Sequence, residues 1–209
     1  NAETWEEVGQ RGTLEWMSIW TPASLAHCAS VSIAGAGFFR SLAYHAVARL
    51  CLAVQFERKP IPVHPRAAIP TLRLHYFVEA HRGSTTFWKT REGRQVLAPI
   101  RRFLSALPDL GYWSGNEVVK EQFDTALPIA AHVKPKIAGS NKCRDRSSCA
   151  FIYSAQWVPE DKPLTWFGLG KAEIEESREF EDLYQFVMRG RLRDPSFGGV
   201  FDAYVYSRA

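Results

Sequence analysis

Four cysteines occur in 209 residues, none in a C-x-x-C pair and none beside histidine at zinc-finger spacing, so the sequence offers neither a metal site nor a disulfide scaffold. Cys28 and Cys51 lie in apolar runs, where a free thiol acts as a small hydrophobe and fits a reducing cytoplasm. No apolar run approaches the roughly eighteen residues of a membrane span, and no basic-then-apolar segment opens the chain. A membrane-embedded or visibly secreted protein is therefore not expected. Internal repeats and low-complexity segments are absent as well, which excludes solenoids and disordered tails. Charge of one sign is scarce. The formal net charge of +4 permits a nucleic-acid partner without demanding one.

What is present is apolar and aromatic. Hydrophobic residues make up 46% and aromatic residues 13%, enough to fill the core of one domain or at most two small ones, with a single domain expected over residues 14–209 behind an N-terminal segment, 1–13. The chain opens on Asn1 rather than Met and closes on Ala209 directly after a strand-like run, so a cut inside a longer protein is expected.

Strand and helix signals alternate. "LEWMSIW" from Leu14 reads as a strand, and "TPASLAHCA" as a short helix with Thr21 at the N-cap and Pro22 at the first position. Val31 to Ile33 reads as a β-branched strand, followed by a small-residue turn at Gly35 to Gly37 and an amphipathic helix over Phe38 to Leu50. The prolines at 60, 62, 65 and 70 mark an extended loop. "TLRLHYFVE" alternates as a strand, with Leu72, Leu74, Tyr76 and Val78 on one face. A helix follows in "REGRQVLAPIRRFLSAL", with a kink expected at Pro99. "DLGYWSGNEVVKEQF" is rich in turn residues, while "IAAHVKPKIAG" reads as a strand entering a glycine loop and "CAFIYSA" as a strand buried on both faces. A long helix is expected from Gly170 to Asp194, then a last strand in "FDAYVY". This alternation predicts an α/β fold, a parallel sheet with helices on both faces.

Two segments carry the possible chemistry. In "DLYQFVMRGRLRD", Gln185, Arg189 and Arg193 recur every four residues and would form a polar ridge on one helix face. Arginine offers planar, permanently charged donors that suit phosphate oxygens. The plainer alternative is that these arginines pair with Glu179, Glu181 and Asp182 on a solvated surface. About forty residues earlier, "KIAGSNKCRDRSSCAFIYSA" sets a polar loop from Gly139 to Arg146 before a buried strand. Gly139 would allow close backbone approach, and Asn141 and Asp145 could contact a ribose, a metal-bound water or the arginines.

The succession "VSIAGAGFFRSLAYHAVARL", "AGSNKCRDRSSCAFIYSA", "FEDLYQFVMRGRLRD" and "AYVYSRA" resembles the C-terminal half of a superfamily 2 helicase, of the divergent type found in phages, plasmids and bacteria. The resemblance implies a RecA-like second lobe. Gly139, Asn141 and Asp145 match the loop called motif V, and Gln185, Arg189 and Arg193 match motif VI, whose arginines reach the phosphates of ATP. Arg189 and Arg193 would be the arginine fingers. The last arginine stands four residues after the first, where the common motif has three, which leaves Arg191 and Arg193 as rival candidates.

A complete helicase also needs G-x-x-x-x-G-K-[ST] after a strand and an acidic pair for magnesium. "FGLGKAE" lacks the first glycine and the hydroxyl, and reads as a helix-start turn. The resemblance therefore implies that ATP and magnesium bind against a separate first lobe, which would be a partner along with nucleic acid. Arg58, Lys59, Arg66, Arg101 and Arg102 are the candidate contacts to a phosphate backbone. His64, His75 and His81 resemble no metal-ligand set, and His27, beside Ser24 and Cys28 with no third orienting group, reads as a structural histidine rather than a catalytic base. The rival reading is a stand-alone nucleic-acid-binding or interaction domain without ATPase activity.

Overall fold

The computed structural model describes residues 22–33, 37–50, 53–59, 65–79, 83–127, 130–134, 141–153, 164–165 and 168–207. The strand expected over residues 14–20, the Thr21 cap, Cys51, His64 and His81 lie outside them. Contacts divide the chain into two compact units, one of Asn1–Glu57 with Val158–Gly170 and one of Arg58–Trp157 with Lys171–Ala209.

In the first unit, Pro22–Leu25 is a single 3-10 turn rather than the longer helix expected there. Val31 and Ile33 stand about two-fifths exposed outside any strand. The helix expected over 38–50 is split into a 3-10 turn, Phe38–Arg40, and helix α1, Leu42–Leu50. Ser41 causes the break. Its extended backbone places its hydroxyl to accept from the Tyr44 N–H at 3.2 Å and to donate to the Phe38 carbonyl at 2.7 Å, so it caps a new helix. Phe38, Phe39, Tyr44 and Phe56 pack around it with ring centroids 5.0 to 5.7 Å apart.

The second unit is a five-stranded sheet, every strand parallel, with the order β1-β5-β4-β2-β3. The strands are β1, Thr71–Val78; β2, Tyr112–Gly115; β3, Ala131–His132; β4, Ser148–Ile152; and β5, Val200–Ser207. Between them run α2, Thr85–Lys89; α3, Arg91–Ser105; α4, Glu117–Phe123; and α5, Lys171–Val187. Three helices start on side-chain caps. Ser84, Thr90 and Asn116 accept from the N–H groups of Phe87, Gly93 and Val119 at 3.0 to 3.1 Å.

Alternation along the central strands separates two cores. Trp113, Ala150, Ile152, Tyr204 and Tyr206 face α2, α3 and α4, together with Trp88, Leu97, Leu104 and Phe123. Tyr112, Cys149, Phe151, Phe201 and Ala203 face the other way, toward Phe186 and Val187 of α5. Connections that run toward β3 place their helices on the first face, and the return from β4 to β5 places α5 on the second. A single crossover hand produces that arrangement. The fold is thus α/β, a parallel sheet with helices on both faces.

Candidate functional site at the amino edge of the sheet

All five strands begin at the same edge, so the turns that enter neighbouring strands meet there. The segment 141–147 enters β4, and the segment 188–199 enters β5. They are sewn together through the backbone. The Arg191 N–H donates to the Arg146 carbonyl at 2.9 Å, and the Asp202 N–H donates to the Ser147 carbonyl at 3.0 Å.

Where α5 stops decides where the arginines go. The Tyr112 hydroxyl, fully buried on β2, lies 3.0 Å from the Phe186 carbonyl and 3.1 Å from the Val187 carbonyl, and donates to this pair of helix-end acceptors. Three residues on, a Cβ at Gly190 would lie 2.6 Å from the Phe201 ring and 2.7 Å from the Arg146 carbonyl, so only glycine lets the turn approach β5. The helix expected to reach Asp194 therefore ends at Val187, and Arg191–Arg193 forms a separate 3-10 turn.

The expected ridge of Gln185, Arg189 and Arg193 is broken by this turn. Gln185 stays on the exposed side of α5 and donates to Glu181. Arg189 turns inward, only 7% exposed, and its Nε has no hydrogen-bond partner. Arg193 stays exposed and donates from Nη1 to the Asn141 Oδ1 at 2.9 Å. Arg191 instead lies over the Phe197 ring, 4.9 Å from its centroid. Of the two rival arginines, Arg193 is the one that reaches the loop. Asp145 stands exposed on the same turn, and Gly139 lies outside the described residues.

Positive charge dominates this edge. Burial pushes the Cys143 thiol above its usual range, while Arg189, Arg146 and Lys142 pull it back, which shows how closely these cations approach. Asp194 is held below the usual carboxylate range, first by the side chain and N–H of Ser196 and then by Arg144 and Arg191. The group is suited to an anion with several oxygens. No known protein family, curated protein or solved structure matches the chain. Chemical inference about the edge rests on its own geometry.

A buried guanidinium with an unpartnered nitrogen beside exposed arginines is the donor set that phosphate oxygens fit. Magnesium does not fit in the same way, since among the described residues no three His, Cys, Asp or Glu side chains come together to hold a metal ion.

The basic residues read as backbone contacts do not share one surface. Arg66 is spent on structure, donating to the carbonyls of Leu192 at 2.9 Å, Asp194 at 2.6 Å and Ala68 at 3.3 Å. Arg101 and Arg102 stand exposed on α3, on the opposite face from α5, and Arg101 reaches the Gln122 carbonyl at 3.4 Å. Arg58 and Lys59 lie exposed in the extended segment 53–59. Cys28, expected in an apolar setting, is exposed, while Cys143 and Cys149 are buried free thiols. Tyr112, which reads in sequence as an aromatic that could stack on unpaired bases, and Arg146, the end of the polar loop, instead shape the site through backbone carbonyls. Tyr112 acts on residues 74 and 75 positions away, a distance at which no spacing rule operates.

Proposed function

We propose that this chain is the second RecA-like lobe of a cytoplasmic, ATP-dependent nucleic-acid helicase or translocase of superfamily 2. One observation carries the reading: the Arg193 to Asn141 hydrogen bond joins the two segments on which the resemblance rests, 52 positions apart. The all-parallel α/β sheet agrees with it, and so does the buried Arg189 guanidinium, a desolvated cation that gains most from an arriving anion.

ATP held with magnesium by a first lobe supplies the phosphoanhydride whose hydrolysis drives motion. This lobe contributes charge and position. Arg193, leaving Asn141, neutralises terminal phosphate oxygens from the solvent side, and Arg189 does so from beneath. Because both arginines lie in the segment 188–199, which is tied to β4 and enters β5, a change at the phosphates is transmitted to the sheet as a rigid-body movement. Gln185, occupied by Glu181, belongs to the helix surface in this scheme. Nucleic acid is the partner on which that movement acts.

The test is ATP hydrolysis by the natural protein that joins this lobe to a P-loop lobe, with and without single-stranded DNA or RNA. Arg189→Ala and Arg193→Ala should each lower the stimulated rate by roughly a hundredfold or more. Unchanged turnover in both variants would remove the arginine-finger roles and favour a nucleic-acid-binding domain whose basic edge meets a backbone directly.

A further inference from the structure

A second site lies on the other face of the sheet, independent of the arginine edge. Strand β1 is one of the two outer strands, and between it, β5 and α3 opens a groove of about 830 Å3. That volume is in the range of small-molecule sites. Its walls are aromatic. Phe77 and Phe103 meet edge to face at 5.7 Å, and Phe103 meets Tyr204 at the same distance. Phe103 is nearly half exposed, so its ring is open to a ligand.

Three groups on these walls can accept from a ligand, beside the Gln95 amide and the Tyr76 and Tyr204 hydroxyls, which can also donate. Glu92 contributes a carboxylate. Gln95 and Pro99 both line the groove on α3, and Pro99 has no N–H to return to the Gln95 carbonyl one turn earlier, so that carbonyl is left without its helical donor. His75 is the third. Its Nε2 lies 2.7 Å from the Asp202 Oδ1, and Arg73 grips the same carboxylate through two contacts of 2.7 and 2.6 Å. Asp202 is held below the usual carboxylate range, first by Arg73, and so accepts only. The His75 Nε2 must then donate, which leaves Nδ1 of the neutral imidazole as an acceptor. Stacking on Tyr204, at 4.6 Å between centroids and 19° between planes, holds the ring in that pose. Among the described residues no lysine or arginine lines the groove, in a protein whose net charge is positive.

From this aromatic-walled groove, with the Glu92 carboxylate on its wall and no lysine or arginine among its described lining residues, we infer a binding site for a planar organic cation, an aromatic amidinium or guanidinium. Such a ligand stacks on the exposed Phe103 ring and donates its N–H groups to Glu92, the Gln95 carbonyl and His75.

Benzamidinium is a suitable probe, titrated into the whole chain and followed by NMR. Saturable shifts at Val96 and Ile100 are expected by roughly 10 mM, with none from benzoate. Glu92→Gln should weaken binding about fivefold, the loss of one solvent-facing ion pair. Pro99→Ala restores the missing N–H, and should weaken binding severalfold while leaving the melting temperature equal or higher. A purely structural role for Pro99 predicts no change in affinity. Equal response to benzoate, no saturable shift, or wild-type affinity in both variants overturns the site.

Discussion

Arg189 and His132 show how burial without a partner gives a single residue its behaviour. Arg189 cannot shed its charge, so its unpartnered Nε leaves a standing preference for an anion. His132 can shed its charge. Its ring lies 4.6 Å from that of Trp113, its Nε2 is buried with no partner, and burial lowers its pKa, with Lys120 and Lys134 adding to the effect and Asp124 and Glu117 opposing it. The folded state therefore disfavours the imidazolium. Above about pH 6.5 both folded and unfolded forms are neutral and stability is flat. Below that value the unfolded chain takes the proton first, so stability falls until the folded pKa is passed. Urea midpoints between pH 8 and pH 5 should fall for the wild type and fall less for His132→Phe. Parallel curves would show that this histidine is not the group responsible.

At the level of elements, the end of α5 rests on Tyr112 from a neighbouring strand. Tyr112→Phe keeps the ring against Phe186, 4.9 Å away, and removes only the hydroxyl donor to two buried carbonyls. The expected cost is about 1–3 kcal/mol, a fall in melting temperature of several degrees on heating a protein of this size. No fall would mean that water or another donor already serves those carbonyls. The same element shows what the sequence could and could not reveal. Periodicity marked a helix from about residue 170, and the helix starts at Lys171. Its end was misplaced because Gly190 and Tyr112 act through contacts with β5 and β2, and those contacts exist only once the chain is folded. Strand β2 and helix α4 were read as turn-rich for a related reason. "YWSG" is too short to show alternation and is buried on both faces, while the Asn116 cap looks like any other turn residue. β1, α3 and β5 are legible because each keeps one period for several residues, and β4 because its apolar run is unbroken and short. Asn141 and Arg193 were singled out as chemical types in a loop and a helix, and the hydrogen bond between them needed the register of β4 with β5.

For the molecule as a whole, the strand order separates a protected centre from an open flank. β4 lies between β5 and β2 with helices on both sides, and each of its residues is buried. β1 pairs with β5 alone, and its residues Leu72, Leu74 and Tyr76 share the face of Phe201, Ala203 and Val205. That register places an apolar stripe on the α5 side, yet Leu74 is 59% exposed, and among the described residues the core on that side gathers β4, β5 and α5 with no residue of β1. Alternation of Leu72, Leu74 and Tyr76, which reads in sequence as a core-facing pattern, therefore marks a surface. Two truncations of similar size separate the cases. Ile152→Ala, at a position with no exposure, should cost about 2–5 kcal/mol through lost transfer energy and an unfilled cavity. Leu74→Ala should change stability by no more than about 0.5 kcal/mol. Urea unfolding of both variants beside the wild type measures the contrast, and a Leu74→Ala penalty approaching that of Ile152→Ala would show that the outer face of β1 is covered in solution.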